Sequence, residues 1–196
     1  MSRRRLAPGI ALAFAMVFAL PISGVCAEGP SPAEMVERQQ TAMARLDDLE
    51  GLWEGTGWLL EGETKVPLAV AIQSGKMLDG VMQLIEVRTR DGNGKIHLHG
   101  VNFIVYNTAR QSYAIQAHAG GLYGDFTFNV TQDGYVWQLG DDNQGLRYTG
   151  VVHGDVWTET TERLGPGGVI SPIGKFTLKR AKRSEWPAPL IERTGP

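Results

Sequence analysis

Cysteine is almost absent from this sequence, and its absence excludes several kinds of site. The single cysteine, Cys26, comes directly after an apolar run near the N-terminus, so the rest of the chain has no thiol. Disulfide bonds, thiolate catalysis and zinc sites with cysteine ligands are therefore excluded from any domain that follows this run. Common catalytic motifs are also missing: there is no G-x-S-x-G, H-E-x-x-H, C-x-x-C, P-loop or dinucleotide-binding fingerprint.

Long basic runs are scarce as well, and this bears on the partners of the protein. The chain has 19 Lys and Arg against 21 Asp and Glu, for a net charge of −2. Without residues 1–27, which contain three arginines and no acidic residue, the net charge becomes −5. A mildly acidic chain does not favour nucleic acid or an anionic membrane as its main partner. We therefore expect no nucleic acid partner, and no motif indicates a metal or another cofactor.

The one long apolar run, residues 6–24, predicts an export signal. It follows three arginines, and Val25 and Ala27 then occupy the small-residue positions of a cleavage site. Prolines and glycines interrupt the run and leave it shorter than the ~20 apolar residues of a membrane span. We predict cleavage after Ala27 and a mature protein that is periplasmic or secreted, with no transmembrane span.

Three alternatives to this export route remain open. The segment Ser2-Arg3-Arg4-Arg5-Leu6 resembles a twin-arginine signal, which exports proteins that have already folded. Cys26 is an alternative site of lipid attachment, although Val25 stands where lipoprotein signals usually have Gly, Ala or Ser. The third alternative is a membrane anchor that is retained in the mature protein.

Residues 28–50 contain the one substantial helix predicted for the mature chain. Ser31 is a favourable N-cap, Pro32 suits the first helical position, and Glu34 completes a capping box. Apolar residues recur at helical spacing and form one stripe: Met35, Ala42, Met43, Leu46 and Leu49.

From residue 51 to residue 181 the pattern changes to short strands separated by tight turns. Strands rich in β-branched and aromatic residues are predicted near 51–60, 65–74, 80–89, 96–106, 111–118, 123–130, 134–140, 145–152, 155–162 and 173–180. Successive hairpins form an up-and-down antiparallel meander, and closing it into a barrel removes its free edges. We predict an all-β fold, a barrel of about ten strands at 51–181 with one N-terminal helix and a loose tail at 182–196.

Gly51, Trp53, Gly55 and Gly57 form a G-x-W-x-G-x-G motif at the start of the first predicted strand. These residues share one strand face, so Trp53 can close one end of the barrel while its neighbours stay small. The motif resembles the start of calycin-type barrels: lipocalins share G-x-W, and nitrobindin-like barrels share the longer G-x-W-x-G-x-G. The chain also resembles an exported, uncharacterised lipocalin-like family of bacteria.

The last predicted strand extends this resemblance and also departs from it. Its sequence GKFTLKR resembles the closing strand of those barrels, which implies that Lys179 or Arg180 packs over Trp53, as a late basic residue does in lipocalins. Nitrobindin-like barrels bind heme through a histidine just ahead of this strand. The matching region, VISPIGKFTLKR, has no histidine, so we do not expect heme at that site.

Three of the four histidines fall on two successive predicted strands. His97 and His99 are two residues apart and share a strand face. If the next hairpin turn is centred on residues 108–109, His99 faces His118 on the following strand. The three imidazoles would then begin a metal site or form the polar lining of a pocket; the alternative is a patch on the surface.

Arg147 and Tyr148 are adjacent on one predicted strand, so one of them must point into the barrel. A buried arginine requires an anionic partner, which could be Glu86, Glu159 or a carboxylate of the ligand. The alternative is an arginine on the outside of the barrel that pairs with a neighbouring strand.

These features predict an exported binding protein for a small, largely apolar molecule, because a barrel of eight or more strands can enclose one. The candidate ligand-binding residues are His99, Gln116, His118, Arg147 and Tyr148. Two alternatives remain open: an enzyme on the same barrel that uses a cavity histidine as general base, and an interaction module whose barrel is filled. A binding protein is favoured over an enzyme.

Overall fold

The structure, a computed structural model, describes residues 29–182. The predicted export signal, its cleavage site after Ala27, the alternative lipid site Cys26 and nearly all of the predicted tail lie outside the described residues. No helix in the described part of the chain is long and apolar enough to cross a membrane.

A short helical segment precedes the strands, and its start is set by capping. Helix α1 spans Pro32–Met43 and continues as a 3-10 helix over Ala44–Leu49. The Ser31 hydroxyl accepts a hydrogen bond from the Glu34 N–H (3.2 Å), and the Glu34 carboxylate accepts one from the Ser31 N–H (2.6 Å). The predicted helix and its capping box are confirmed.

Ten antiparallel strands form a closed barrel in which each strand pairs with its neighbours in sequence and the last pairs with the first. Their bounds are β1 Gly51–Glu61, β2 Thr64–Met77, β3 Met82–Arg90, β4 Ile96–Asn107, β5 Ser112–Ala119, β6 Leu122–Val130, β7 Gly134–Gly140, β8 Gly145–His153, β9 Val156–Gly165 and β10 Val169–Ala181. The predicted all-β, up-and-down barrel with one N-terminal helix is therefore confirmed.

The last strand begins four residues earlier than its predicted start at 173. Gly167 and Gly168 have φ values of +75° and +78°, so the chain reverses within the short segment Pro166–Gly168. Pairing with β9 then starts at Val169 and continues past a register shift between Pro172 and Gly174. A turn of two left-handed glycines thus replaces part of the long loop that the sequence indicated.

The helical segment covers one end of the barrel, which we call the closed end. The Tyr113 hydroxyl donates a hydrogen bond to the Ala42 carbonyl (2.6 Å), and the Gln40 side chain donates one to the Asp79 carbonyl (2.7 Å). Beneath these contacts the core contains the buried side chains of the helical segment: Met43, Leu46 and Leu49. The opposite end, which we call the open end, is formed by the turns at 62–63, 91–95, 120–121, 141–144 and 166–168.

The glycines of the G-x-W-x-G-x-G motif are required by the close approach of β10 to β1. A Cβ atom added to Gly55 would lie 2.1 Å from the Thr177 carbonyl oxygen, and one added to Gly57 would lie 2.3 Å from the Lys175 carbonyl oxygen. Gly51 has φ +119°, which side chains disfavour. The crowding therefore comes mainly from the backbone of the closing strand rather than from side chains inside the barrel.

Gly55→Ala is expected to destabilise the fold by about 2–3 kcal/mol, because a backbone carbonyl must move to admit the methyl group. Gly75→Ala is the matched control: Gly75 also lies within a strand, but its added Cβ would meet nothing within 4 Å. This control is expected to change the free energy of unfolding by no more than about 0.5 kcal/mol. Urea unfolding of both variants measures the difference, and equal effects would contradict the explanation.

Candidate ligand-binding cavity

The inward-facing side chains of all ten strands surround a cavity of about 630 Å³. Alternation along each strand determines which residues face it. On β2 and β3, for example, Val70, Ile72, Ile85 and Val87 all line the cavity. The lining is mainly aliphatic and aromatic, and the barrel is therefore not filled by its own side chains.

Two tryptophans in edge-to-face contact form the floor of the cavity at the closed end. Trp157 lines the cavity and contacts Trp53 edge-on, with ring centroids 5.6 Å apart. Trp53 is completely buried, and its Nε1–H donates a hydrogen bond to the Leu49 carbonyl (3.0 Å). The Arg180 guanidinium lies 4.2 Å from the centre of the Trp53 ring. Of the two basic residues that the resemblance implied, Arg180 is the one that packs over the tryptophan.

One wall of the cavity is aromatic. Trp137 of β7 and Tyr148 of β8 stack with centroids 4.1 Å apart and an angle of 8° between their planes. Phe126 contacts the other side of this group, 5.9 Å from Trp137. Such a wall presents apolar aromatic surface to the cavity and is suited to contact with an apolar ligand.

Glu159 is the acidic group of the cavity, next to the floor on β9. It is the inward-facing residue that follows Trp157, and it accepts a hydrogen bond from the Tyr135 hydroxyl. Tyr135 and Glu159 lie on β7 and β9, and Gly150 of β8 stands between them as the strand partner of both. A Cβ at Gly150 would lie 2.2 Å from the Tyr135 ring, so the absence of a side chain there lets the tyrosine reach the carboxyl group.

Burial dominates the protonation of this group. It raises the pKa of Glu159 from 4.5 to about 7, and the hydrogen bond from Tyr135 opposes that rise only in part. Burial and the nearby Glu159 charge also raise the pKa of Tyr135 well above its ordinary value and that of Tyr148 to about 12. Both tyrosines are thus neutral near pH 7, whereas Glu159 can gain or lose a proton there.

The open end of the barrel is bordered by exposed apolar side chains. Leu122 and Tyr123 are 79% and 77% exposed, and both also line the cavity. Leu98, on the neighbouring hairpin, is also exposed and lines the cavity. His97 adds a polar group at the same end, where its ring hydrogen-bonds to Glu61 and Asp91. An apolar molecule can therefore contact protein before it enters the cavity.

Of the five residues that the sequence singled out, the structure places Tyr148 in the cavity and the other four on the outer face. Arg147 donates two hydrogen bonds to Glu162 on the neighbouring strand (3.0 and 2.8 Å). This is the alternative of an exterior arginine; its partner is neither Glu86 nor Glu159.

His99, Gln116 and His118 form hydrogen bonds outside the cavity. His99 contacts the buried carboxylate of Glu86 (2.9 Å), which also pairs with Arg88. The His118 ring contacts the Gln116 side chain (3.0 Å). The expectation that these histidines line the cavity is therefore corrected. Neither histidine is placed to act as a general base inside the barrel.

The predicted pairing of His99 with His118 is wrong by two residues. In the structure His118 lies opposite Val101. The hairpin turn is centred one residue later than expected, because the Asn107 side chain accepts a hydrogen bond from the Arg110 N–H (2.9 Å) and closes a four-residue turn. Within residues 29–182 no group of three His, Cys, Asp or Glu side chains is placed to hold a metal ion.

The sequence named Glu159 only as a possible partner of a buried Arg147 and not as a ligand-binding residue, although it held a further signal. Trp157, Glu159 and Thr161 have the same parity on one strand, and all three line the cavity. A carboxylate that shares a face with a tryptophan in a barrel strand is a candidate interior group. Gly150 carried no such signal, because its role depends on a ring from another strand.

Comparison with known proteins shows the fold alone. No protein-family model and no curated protein match the chain. A solved crystal structure of Rv2717c from M. tuberculosis is similar, with a TM-score of 0.55 and 14% sequence identity over 72% of this chain and 98% of that one. At this identity the likeness establishes a common barrel architecture, and it agrees with a lipocalin-like barrel at the level of fold.

Proposed function

We propose that this protein is exported and binds a small, largely apolar molecule in the barrel cavity. The observation that carries the proposal is the cavity itself: about 630 Å³ enclosed by mostly apolar side chains, with few polar groups. Cavities of roughly 300–1,000 Å³ with this kind of lining are typical of small-molecule sites. Burial of apolar surface would supply most of the affinity, and the Glu159–Tyr135 pair would orient the ligand.

The cavity favours this function over the two alternatives drawn from the sequence. An interaction module with a filled barrel would have side chains where this chain has open space. An enzyme with a cavity histidine as general base would need His99 or His118 inside, and both hydrogen-bond on the outer face. Export is supported by the N-terminal sequence pattern alone.

The first test compares the native and denatured masses of the protein purified from an exporting bacterial host. We expect the denatured mass of a chain that begins at Glu28 and a native mass larger by one small molecule. A denatured mass that retains residues 1–27 would contradict a cleaved export signal. Cys26 with a lipid increment would instead establish the lipid-anchored alternative.

Binding to the cavity is tested with a matched pair of variants and the uncharged fluorescent probe N-phenyl-1-naphthylamine. Ala117 lines the cavity on β5, whereas Ala114 on the same strand faces outward. We expect saturable binding to the wild type, an affinity at least about tenfold lower in Ala117→Trp, and little change in Ala114→Trp. Absence of saturable binding to the wild type, or equal loss in both variants, would contradict a cavity ligand.

A further inference from the structure

We propose that the ligand of this cavity carries a protonated amine, which pairs with Glu159 near the floor while an apolar body fills the space toward the open end. This inference rests on the proposed function and names the class of ligand for the same site. It assigns a charged group to a cavity that is otherwise lined mainly by apolar and uncharged side chains.

Two glutamates of the barrel differ in their partners, and this difference carries the inference: Glu86 is buried, and Glu159 is partly buried and lines the cavity. Glu86, on the outer face, forms an ion pair with Arg88 and a hydrogen bond with the His99 ring. Glu159, on the inner face, accepts a hydrogen bond from the neutral Tyr135 hydroxyl, and none of the salt bridges within residues 29–182 includes it. Buried carboxylates are normally paired with a cation. A cation for Glu159 can come from a ligand, because the carboxyl group faces the cavity.

The aromatic side chains around Glu159 also suit a cation. Tyr135 and Tyr148 lie close enough to interact electrostatically with the carboxyl group, and Trp157 and Trp137 extend the same wall. The faces of aromatic rings attract ammonium groups, and the attraction is stronger where water is excluded. A carboxylate beside several aromatic side chains therefore stabilises an amine better than it stabilises a neutral hydroxyl group or an acid.

The positions of the other ionisable groups define the orientation of the ligand. The ionisable groups near Glu159 are Tyr148 on the adjacent strand β8 and Tyr135 on β7, the next strand beyond it. The strand partner of Glu159 on β10 is Phe176.

Of the other ionisable residues of the lining, His97 and Tyr123 lie at the open end. Lys175 lies between the inward-facing Gly174 and Phe176 on β10, so its exposed side chain is on the outer face. An amine entering the barrel thus meets negative charge at the floor, so its apolar part points toward the mouth.

Three probes that share one naphthalene ring separate this inference from the proposed function. They are 2-(1-naphthyl)ethylamine, 2-(1-naphthyl)ethanol and 1-naphthylacetic acid, titrated against the protein at pH 8 with calorimetric detection. We expect the amine to bind at least about tenfold more tightly than the alcohol, and the acid to bind most weakly. Equal binding of amine and alcohol would overturn the amine inference and leave the cavity function intact. Failure of all three probes to bind would overturn both.

The pH dependence of binding identifies Glu159 as the partner. The amine stays protonated below about pH 9, since simple alkylamines have pKa values near 10. Because the pKa of Glu159 is about 7, its ionised fraction rises between pH 6 and pH 8, and the affinity for the amine should rise about tenfold over this range. The affinity for the alcohol should stay nearly constant.

Two variants complete the test. Glu159→Gln should remove both the preference for the amine and its pH dependence. Glu162→Gln, on the same strand but facing outward toward Arg147, should keep both. If Glu159→Gln does not fold, Tyr135→Phe replaces it: this variant keeps the carboxylate and should still prefer the amine. Retention of the preference in folded Glu159→Gln would overturn the inference. So would its loss in Tyr135→Phe at every pH up to about 9, because without the tyrosine hydroxyl the carboxyl group ionises at a higher pH.

Discussion

Trp53→Ala is expected to lower the free energy of unfolding by about 4 kcal/mol, near the upper end for core truncations. The Trp53 side chain is fully buried between the helical segment and the Trp157 ring. Its removal would leave a void at the closed end, remove the hydrogen bond to the Leu49 carbonyl and leave the Arg180 guanidinium without its ring partner. Urea unfolding followed by circular dichroism measures the loss.

Trp58→Ala is the matched control on the same strand. Trp58 is only partly buried, and its ring contacts the Lys65 ammonium group at 4.2 Å. Cation–π contacts of this kind contribute about 0.5–1 kcal/mol, so the control should cost about 1–2 kcal/mol once lost packing is included. If Trp53→Ala cost no more than Trp58→Ala, the closed end would not depend on the buried tryptophan.

The barrel could be predicted from the sequence because each hairpin has a turn sequence that indicates it locally. The turn between β7 and β8 illustrates this: Asp141 accepts hydrogen bonds from the N–H groups of Asn143 and Gln144, which are interactions that an Asp-rich turn sequence favours. When nearly every strand is followed by such a turn, antiparallel neighbours follow, and closure removes the remaining edges. The capping box at Ser31 could also be predicted, because it too is formed by residues that are close in sequence.

The cavity residues were harder to predict because they depend on which face of each strand points into the barrel. On β4 both faces carry apolar side chains: Val101 and Phe103 face outward, whereas Ile104 is completely buried inside. Hydrophobic alternation therefore did not distinguish the inner face, and His99 could be assigned to either side. The hydrogen bond that Asn107 makes in the next turn then moved the register by two residues, which local sequence did not reveal.

Glu159→Gln should change the pH dependence of stability, and the sign follows from the direction of the pKa shift. Folding raises the pKa of Glu159 from 4.5 to about 7, so between these values the folded chain holds a proton that the unfolded chain has lost. Stability from this group is present in full below pH 4.5 and is lost as the pH rises toward 7. A pKa shift of this size corresponds to a change of about 3 kcal/mol in the free energy of unfolding.

The prediction is a difference between two curves. From pH 4 to pH 8 the free energy of unfolding of Glu159→Gln should rise by about 3 kcal/mol relative to that of the wild type, since the amide does not titrate. Glu162→Gln, which removes an outward carboxylate paired with Arg147, should show no comparable relative rise. Parallel curves for Glu159→Gln and the wild type would mean that Glu159 is not held in a desolvated site. A saturating amine should reduce the wild-type loss above pH 7, because the ammonium group supplies the cation that this carboxylate lacks among the described residues.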